Sequence, residues 1–467
     1  MNPLAHLGLR ARRGFGAFVP DPFVIAIGLT ALVMVASGAA AWAGGTPALR
    51  VPATVLGWWA QSKGLWSLAA FTMQATLMLI VGHALATAPA IRATLTRAVA
   101  IAPGPRALVS LVCLGSIALA LLNWSLCLVG GALLATAAGS FARERGWRLH
   151  YPLLCAAGYS GLMTWHGGLS GTAPLKATTA AGMQEVLGPQ LAARVGAIGL
   201  DASLGSPLNL AVSGGLLVLG PLLFFAMTPR DGADPAPHPA PLALESHDHE
   251  RPLEPAPNAA EGDGDLLDRP WLRWGLAAPL LAGFVLVIAE RGLARLDLDA
   301  VNLGLWGLAL AAQPTLRAFL RASEGGARGA AGLVLQFPLY AGVMGMLASS
   351  GLSSALAGAL AAVGAPLLPL ATFLAAGLLN LFVPSGGGQW AIQGPVVVQA
   401  ALDSGAAPAS VLMAVAYGDQ WTNMLQPFWA LPLLAITGVR ARDIVGYGVV
   451  WMAAGGLWIA GCLLTLG

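Results

Sequence analysis

Val383-Pro384-Ser385-Gly386-Gly387-Gly388-Gln389-Trp390 interrupts a stretch that is otherwise apolar enough to sit in a bilayer. Three consecutive glycines are poor helix formers, and Pro384 tends to end whatever helix precedes it. Non-helical backbone survives at membrane depth only where protein buries it or where it lines a wet cavity. Secondary transporters place their substrate sites at interrupted hydrophobic segments of this kind. The stretch points to a membrane carrier.

Composition reaches the same class by another route. Hydrophobic residues make up 57% of the chain and charged residues 10%, against roughly 25% charged in soluble domains. Crossing a bilayer core takes about 20 apolar residues. Pro22–Trp42 and Ile444–Leu466 meet that requirement without a charge. Arg10, Arg12 and Arg13 before the first apolar run resemble a signal peptide, but the run is too long and many more follow. The four cysteines all lie in apolar segments, so no disulfide framework is expected.

Crossings are expected near 22–42, 65–88, 151–180, 199–227, 272–290, 300–316, 329–350, 408–437 and 444–466. The stretches 107–141 and 353–404 are too long for one crossing. Each breaks near its middle, at Asn123-Trp124-Ser125 and at Pro384–Gly388. Either is two crossings or a re-entrant hairpin, and the short polar tip at Asn123–Ser125 favours a hairpin in the first. Cytoplasmic loops are enriched in Lys and Arg. With the N-terminus inside, all but Arg50, Lys63, Lys176, Arg194, Arg291 and Arg295 of the 24 basic residues fall on the cytoplasmic side.

Three segments follow: a membrane repeat over 1–227, an acidic Pro/Ala-rich cytoplasmic linker over 228–271, and a second membrane repeat over 272–467 with one extra crossing helix. The linker has no apolar face and reads as disordered. His247-Asp248-His249 lies within it, and a solvated linker with incidental histidines outweighs a metal site there. The repeat rests on paired landmarks: Gln74 and Gln336, Asn123 and Asn380, Tyr159 and Tyr417, Trp165 and Trp421, Pro174 and Pro427. The extra crossing flips the second half, so the repeats are inverted, an architecture that puts sites at the repeat interface.

Val383–Trp390, Ile392-Gln393-Gly394-Pro395, and Ala416-Tyr417-Gly418-Asp419-Gln420-Trp421 through Gln426–Pro432 resemble the bacterial short-chain fatty acid transporter family. Pro20-Asp21-Pro22, Val81–Leu85, Asn123-Trp124 and Gln336-Phe337-Pro338 extend the resemblance over nearly the whole chain outside the linker. It implies a multi-pass bacterial inner-membrane carrier for short monocarboxylates such as acetoacetate or butyrate. It also implies an all-α polytopic fold of two inverted repeats, each with a re-entrant hairpin and a broken transmembrane helix. One departure stands out: Trp165-His166-Gly167-Gly168 carries a histidine where the resemblance leads one to expect glycine.

A carboxylate that leaves water needs donors, and hairpin tips supply free backbone N–H groups at the positive end of a helix. Ser385, Gly386, Gly387, Gly388 and Gln389 are candidates at one tip, Asn123 and Ser125 at the other. Tight packing of small residues is the competing structural explanation. Asp419 lies between apolar stretches, where an acid is costly and usually functional. A cap or near-surface carboxylate is its plainer alternative. Asp419 and His166 are the ion-coupling candidates, with Gln420 and Asn423 as polar binding partners. Trp421 and Trp429 pack a substrate tail, anchor at the interface or fill core. Lys176 attracts the anion or snorkels to the interface.

No nucleotide-binding loop is present, so an ion gradient, Na⁺ or H⁺, is the expected energy source and no cofactor is expected. The expected partners are the carboxylate and the lipid bilayer, with no nucleic acid. A homodimer is compatible with the sequence and undecided by it. An integral membrane enzyme would call for clustered ligands such as His-x-x-x-His, which are lacking. A passive anion channel would call for rings of charge or a repeated filter.

Overall fold

The computed structural model describes residues 3–18, 22–229, 264–291, 298–352, 355, 363–383 and 386–467. Residues 230–263, most of the acidic linker, and Pro384 and Ser385 lie outside the described residues. The main helices are α1 (Pro3–Phe18), α2 (Pro22–Ala43), α3 (Val51–Ala60), α4 (Ala69–Thr87), α5 (Pro89–Val99), α6 (Pro105–Leu122), α7 (Trp124–Glu144), α8 (Tyr151–Tyr159), α9 (Thr172–Ala177), α10 (Ala180–Leu187), α11 (Pro189–Val195) and α12 (Pro207–Met227). They continue as α13 (Trp274–Arg291), α14 (Leu298–Ala312), α15 (Leu316–Ser349), α16 (Leu368–Asn380), α17 (Gly386–Ser404), α18 (Pro408–Thr422), α19 (Pro427–Thr437) and α20 (Ala441–Leu466).

Proline marks the first turn of several of these helices, including Pro105, Pro152, Pro207 and Pro408. Its missing N–H would have no partner there anyway. Gly438, at φ 73°, ends α19 in the left-handed conformation, which costs glycine nothing.

Among the described residues, six helices are long and apolar enough to cross a membrane, and α4 with α5 forms a seventh candidate bent by 80°. This is an all-helical, multi-span membrane protein. Three features differ from the sequence reading. Residues 3–18, which lie before the first expected crossing, form a helix of their own, with Arg12 of α1 3.4 Å from Asp443 of α20. The segment read as a crossing at 329–350 belongs to a 34-residue helix that begins at Leu316. Its first half carries Arg317, Arg321, Glu324 and Arg328, charges that hide it from a hydropathy scan, while Phe319 is buried. Pro89–Val99 continues beyond the sharp bend after Thr87.

Two interrupted helices occupy the centre. Every residue of α8 is buried, and so is every residue of α18 from Val411 to Gln420. A helix that is apolar nearly all round belongs in a core. The α8 segment passes through short 3-10 turns, Ser160–Met163 and Trp165–Gly167, before α9. The α18 segment passes through a 3-10 turn at Asn423–Leu425 before α19. Their centres are tied together, since the Tyr159 hydroxyl donates to the carbonyls of Asn423 (2.7 Å) and Gln426 (3.2 Å).

Two further helix breaks flank this core. The pair α6 and α7 packs together and breaks at Asn123, whose backbone is extended at φ −161°, ψ 132°. The pair α16 and α17 breaks between Asn380 and Gly386.

Candidate functional site

Unwinding a buried helix frees backbone groups that must find partners. At the first break these come from both halves of the chain. Gln420 Oε1 accepts the backbone N–H groups of His166 (3.0 Å) and Gly167 (3.1 Å). Asn209 Nδ2 donates to the Gly167 carbonyl at 2.9 Å. Gly168 has no room for a side chain, because a Cβ there would stand 2.5 Å from the Leu121 carbonyl oxygen. The next residue, Leu169, donates its N–H to that oxygen at 2.7 Å. At the second break, Asn380 Nδ2 donates to the Asp419 carbonyl (2.6 Å) and to Thr422 Oγ1 (3.0 Å).

These bonds fix the one side-chain pair that carries chemistry. His166 Nδ1 lies 2.8 Å from Asp419 Oδ2, and the two residues are 0% and 2% exposed. The other ring nitrogen identifies the tautomer. The backbone N–H of Ala173, which can only donate, points at His166 Nε2 at 3.1 Å. Nε2 therefore accepts, and the ring proton sits on Nδ1, donating to Asp419. The imidazole is neutral in this arrangement, with Asp419 as the acceptor of its ring proton. Among the described residues no Lys or Arg pairs with it. An acid at this depth without a countercharge is costly to keep.

A cavity of about 170 Å³ lies next to the pair. Its apolar wall is Leu68, Phe71, Trp124, Leu162, Trp165 and Trp429, and its polar end is Thr172, Gly386 and Gly387. The aromatic wall is continuous: Trp124 and Trp429 meet edge to face at 5.3 Å, Phe71 and Trp429 at 6.1 Å, and Trp124 and Trp165 at 6.4 Å between ring centroids. Trp165 also stacks on His166 at 4.2 Å, linking the wall to the charged pair. At the polar end Gly386 is pressed against its neighbours. A Cβ on it would stand 2.7 Å from His166 Cε1 and 2.9 Å from Thr172 Oγ1, whereas one on Gly387 would meet nothing within 4 Å.

The sequence candidates divide accordingly. Gly386 and Gly387 line the cavity, and Gly388 follows them in the first turn of α17. His166, Asp419 and Gln420 meet beside it. The Asn423 side-chain amide lies 3.1 Å from Trp165 Nε1. Asn123 caps its own helix, its Oδ1 accepting the Leu126 N–H at 3.3 Å. Ser125 starts α7, with its side chain outside the described set, and Ser385 lies outside it altogether. Gln389 turns into its own hairpin, donating to the Ala376 carbonyl (2.7 Å) and Gln393 Oε1 (2.9 Å).

Of the two tryptophans, Trp429 lines the cavity and Trp421 donates to the Met452 carbonyl in the packing against α20. Lys176 pairs with Glu185 at 2.6 Å on the surface. Sequence reasoning missed Leu68, Phe71, Leu162 and Thr172, and no local signal marks them. Trp124 and Trp165 adjoin the predicted tip and break, and that adjacency was the available clue.

The sequence profile of the family described as "Short chain fatty acid transporter" matches residues 4–466. The chain belongs to this transporter family. A relative from Escherichia coli K12 named "Putative short-chain fatty acid transporter" is 36% identical over 445 residues, 94% of each chain. One of the same name from Haemophilus influenzae is 35% identical over 442 residues, 92% of each chain. Two solved structures align at 15% identity with TM-score 0.42: Neisseria gonorrhoeae MtrF, covering 98% of both chains, and the Alcanivorax borkumensis YdaH transporter, covering 95% of this chain and 98% of that one. Family membership makes the chain a multi-pass membrane transporter and not an enzyme.

Proposed function

We propose that this protein is a secondary carrier moving short-chain monocarboxylates, acetoacetate- or butyrate-like, across the bacterial inner membrane on a Na⁺ or H⁺ gradient. The observation that carries this reading is the cavity, apolar and aromatic on one wall, bordered at its polar end by the first turn of α17. The carboxylate binds at Gly386, Gly387 and Thr172, where backbone N–H groups at a helix start favour an anion. Ser385, Gly388, Gln389, Asn123 and Ser125 shape the two tips. Gln420 and Asn423 hold the breaks in register.

His166 and Asp419 form the coupling centre. With Asp419 ionised, the pair places a negative charge in a site that must also accept an anion, so the loaded state needs a cation. A proton or Na⁺ taken up there neutralises the carboxylate and lowers the cost of crossing. The chain works as two inverted repeats, 1–227 and 272–467, joined by the linker over 228–271. Each contributes a re-entrant hairpin and a broken helix, and the cavity draws residues from both.

Uptake of labelled butyrate and acetoacetate into proteoliposomes, with Na⁺ and pH gradients imposed separately, tests the reading. One gradient should drive accumulation, and accumulation under neither would overturn the reading. Asp419→Asn keeps an oxygen for the His166 Nδ1–H and removes the charge. It should lose gradient-driven accumulation by more than about tenfold, equivalent to about 1.4 kcal/mol, while retaining substrate exchange. Wild-type accumulation by this variant would exclude Asp419 as the coupling residue.

A further inference from the structure

We infer that the aromatic wall is a chain-length filter, with Phe71 and Leu68 of the α4 end setting the longest tail the carrier accepts. The inference rests on the proposed function and adds what that reading leaves open: which acids are carried and which residues decide it. The cavity has two chemically distinct ends joined by Trp165. Near Trp165 lie Gly386 and Thr172, the groups suited to a carboxylate. Away from them the wall is built from Trp124, Trp429, Phe71 and Leu68, which offer a tail only ring faces, ring edges and methyl groups.

Size decides the class of acid. An apolar protein cavity of about 150 Å³ takes one benzene, about six non-hydrogen atoms. The cavity here, about 170 Å³, therefore suits a carboxylate of about four carbons, and a longer tail must press on its aromatic wall or extend out of it. Phe71 stands in the aromatic wall and is backed in turn. It stacks on Phe337 at 5.4 Å between centroids, and Phe337 is 2% exposed and rests in the core. A wall supported from behind does not yield to a longer tail, because close-packed interiors resist added volume. Leu68 precedes the first residue of α4 and is half-buried, so its volume can be changed in either direction with little disturbance behind it.

The test is competition by the straight-chain series from acetate to octanoate against labelled butyrate uptake in proteoliposomes. Wild-type protein should prefer butyrate, with inhibition falling roughly 10–200-fold per methylene beyond the limit, the range for one methylene in a fitted apolar pocket. Phe71→Ala should move the optimum to hexanoate. Leu68→Phe should move it the other way, toward acetate and propionate, and because it adds bulk at a half-buried edge it serves if Phe71→Ala does not fold. An unchanged chain-length profile in an active Leu68→Phe or Phe71→Ala protein would overturn the filter while leaving the carrier reading intact. Failure of wild-type protein to take up any short acid would remove both.

Discussion

At the Asn123 tip, the first N–H groups of α7 are already committed. Trp124 donates to Ser170 Oγ at 3.0 Å, and Leu126 donates to the capping oxygen of Asn123. At the Gly386 tip, α17 opens on the cavity, and a side chain at Gly387 would meet open space. Both tips are polar or glycine-rich breaks between apolar helices, yet the Gly386 tip contributes glycines to the cavity lining and the Asn123 tip contributes the Trp124 side chain. A helix start capped by its own side chains is a structural joint, whereas a glycine helix start that borders a cavity lets an anion approach the backbone.

The contrast breaks most easily at Gly386. A methyl group there collides with His166 and Thr172, and overpacking of that kind costs about 1–3 kcal/mol. Gly386→Ala should reduce butyrate uptake by about 10–100-fold at matched membrane content. Uptake at the wild-type rate would mean that the contact with His166 plays no part in transport.

Gly387→Val makes the finer cut. Its side chain has space, so thermal stability in detergent should stay within about 1 kcal/mol of wild type, the scale of helix propensity differences. The valine occupies the cavity, however, and the apparent affinity for butyrate should fall about tenfold. A destabilised protein with unaltered affinity would turn Gly387 into a packing position.

Asn123→Ala should have the smallest effect. Loss of an N-cap costs about 1 kcal/mol, which thermal unfolding reads, and butyrate affinity should stay within about twofold because the donors at this tip do not reach the ligand. A loss of affinity larger than that of Gly387→Val would reverse the assignment of the two tips.

Much of this arrangement was legible in the sequence because it depends on local chemistry. Long uncharged runs marked the spans, and polar or glycine-rich interruptions marked the breaks at Asn123, Gly167 and Gly386. Asp419 stood out because an acid flanked by apolar helix is rare. What stayed hidden depends on tertiary contact. His166 and Asp419 are 253 residues apart, and nothing local to either announces the other. Phe71 is an ordinary apolar residue of α4 until Phe337, Trp124 and Trp429 gather round it from three other helices. The helix at Pro3–Phe18 escaped notice because three arginines lower the hydropathy of a segment that packs on α20 instead of crossing the bilayer.

The aromatic wall also fixes the heat signature of loading. Under the proposed function, a fatty-acid tail entering here meets rings and methyl groups, which offer few polar atoms to order water against them. Its gain then comes from dispersion contacts with the rings, and calorimetry near 25 °C should read loading as exothermic instead of entropy-driven. Removal of the tail's own apolar surface from water still lowers the heat capacity. The affinity of the carrier for its cargo therefore weakens on warming.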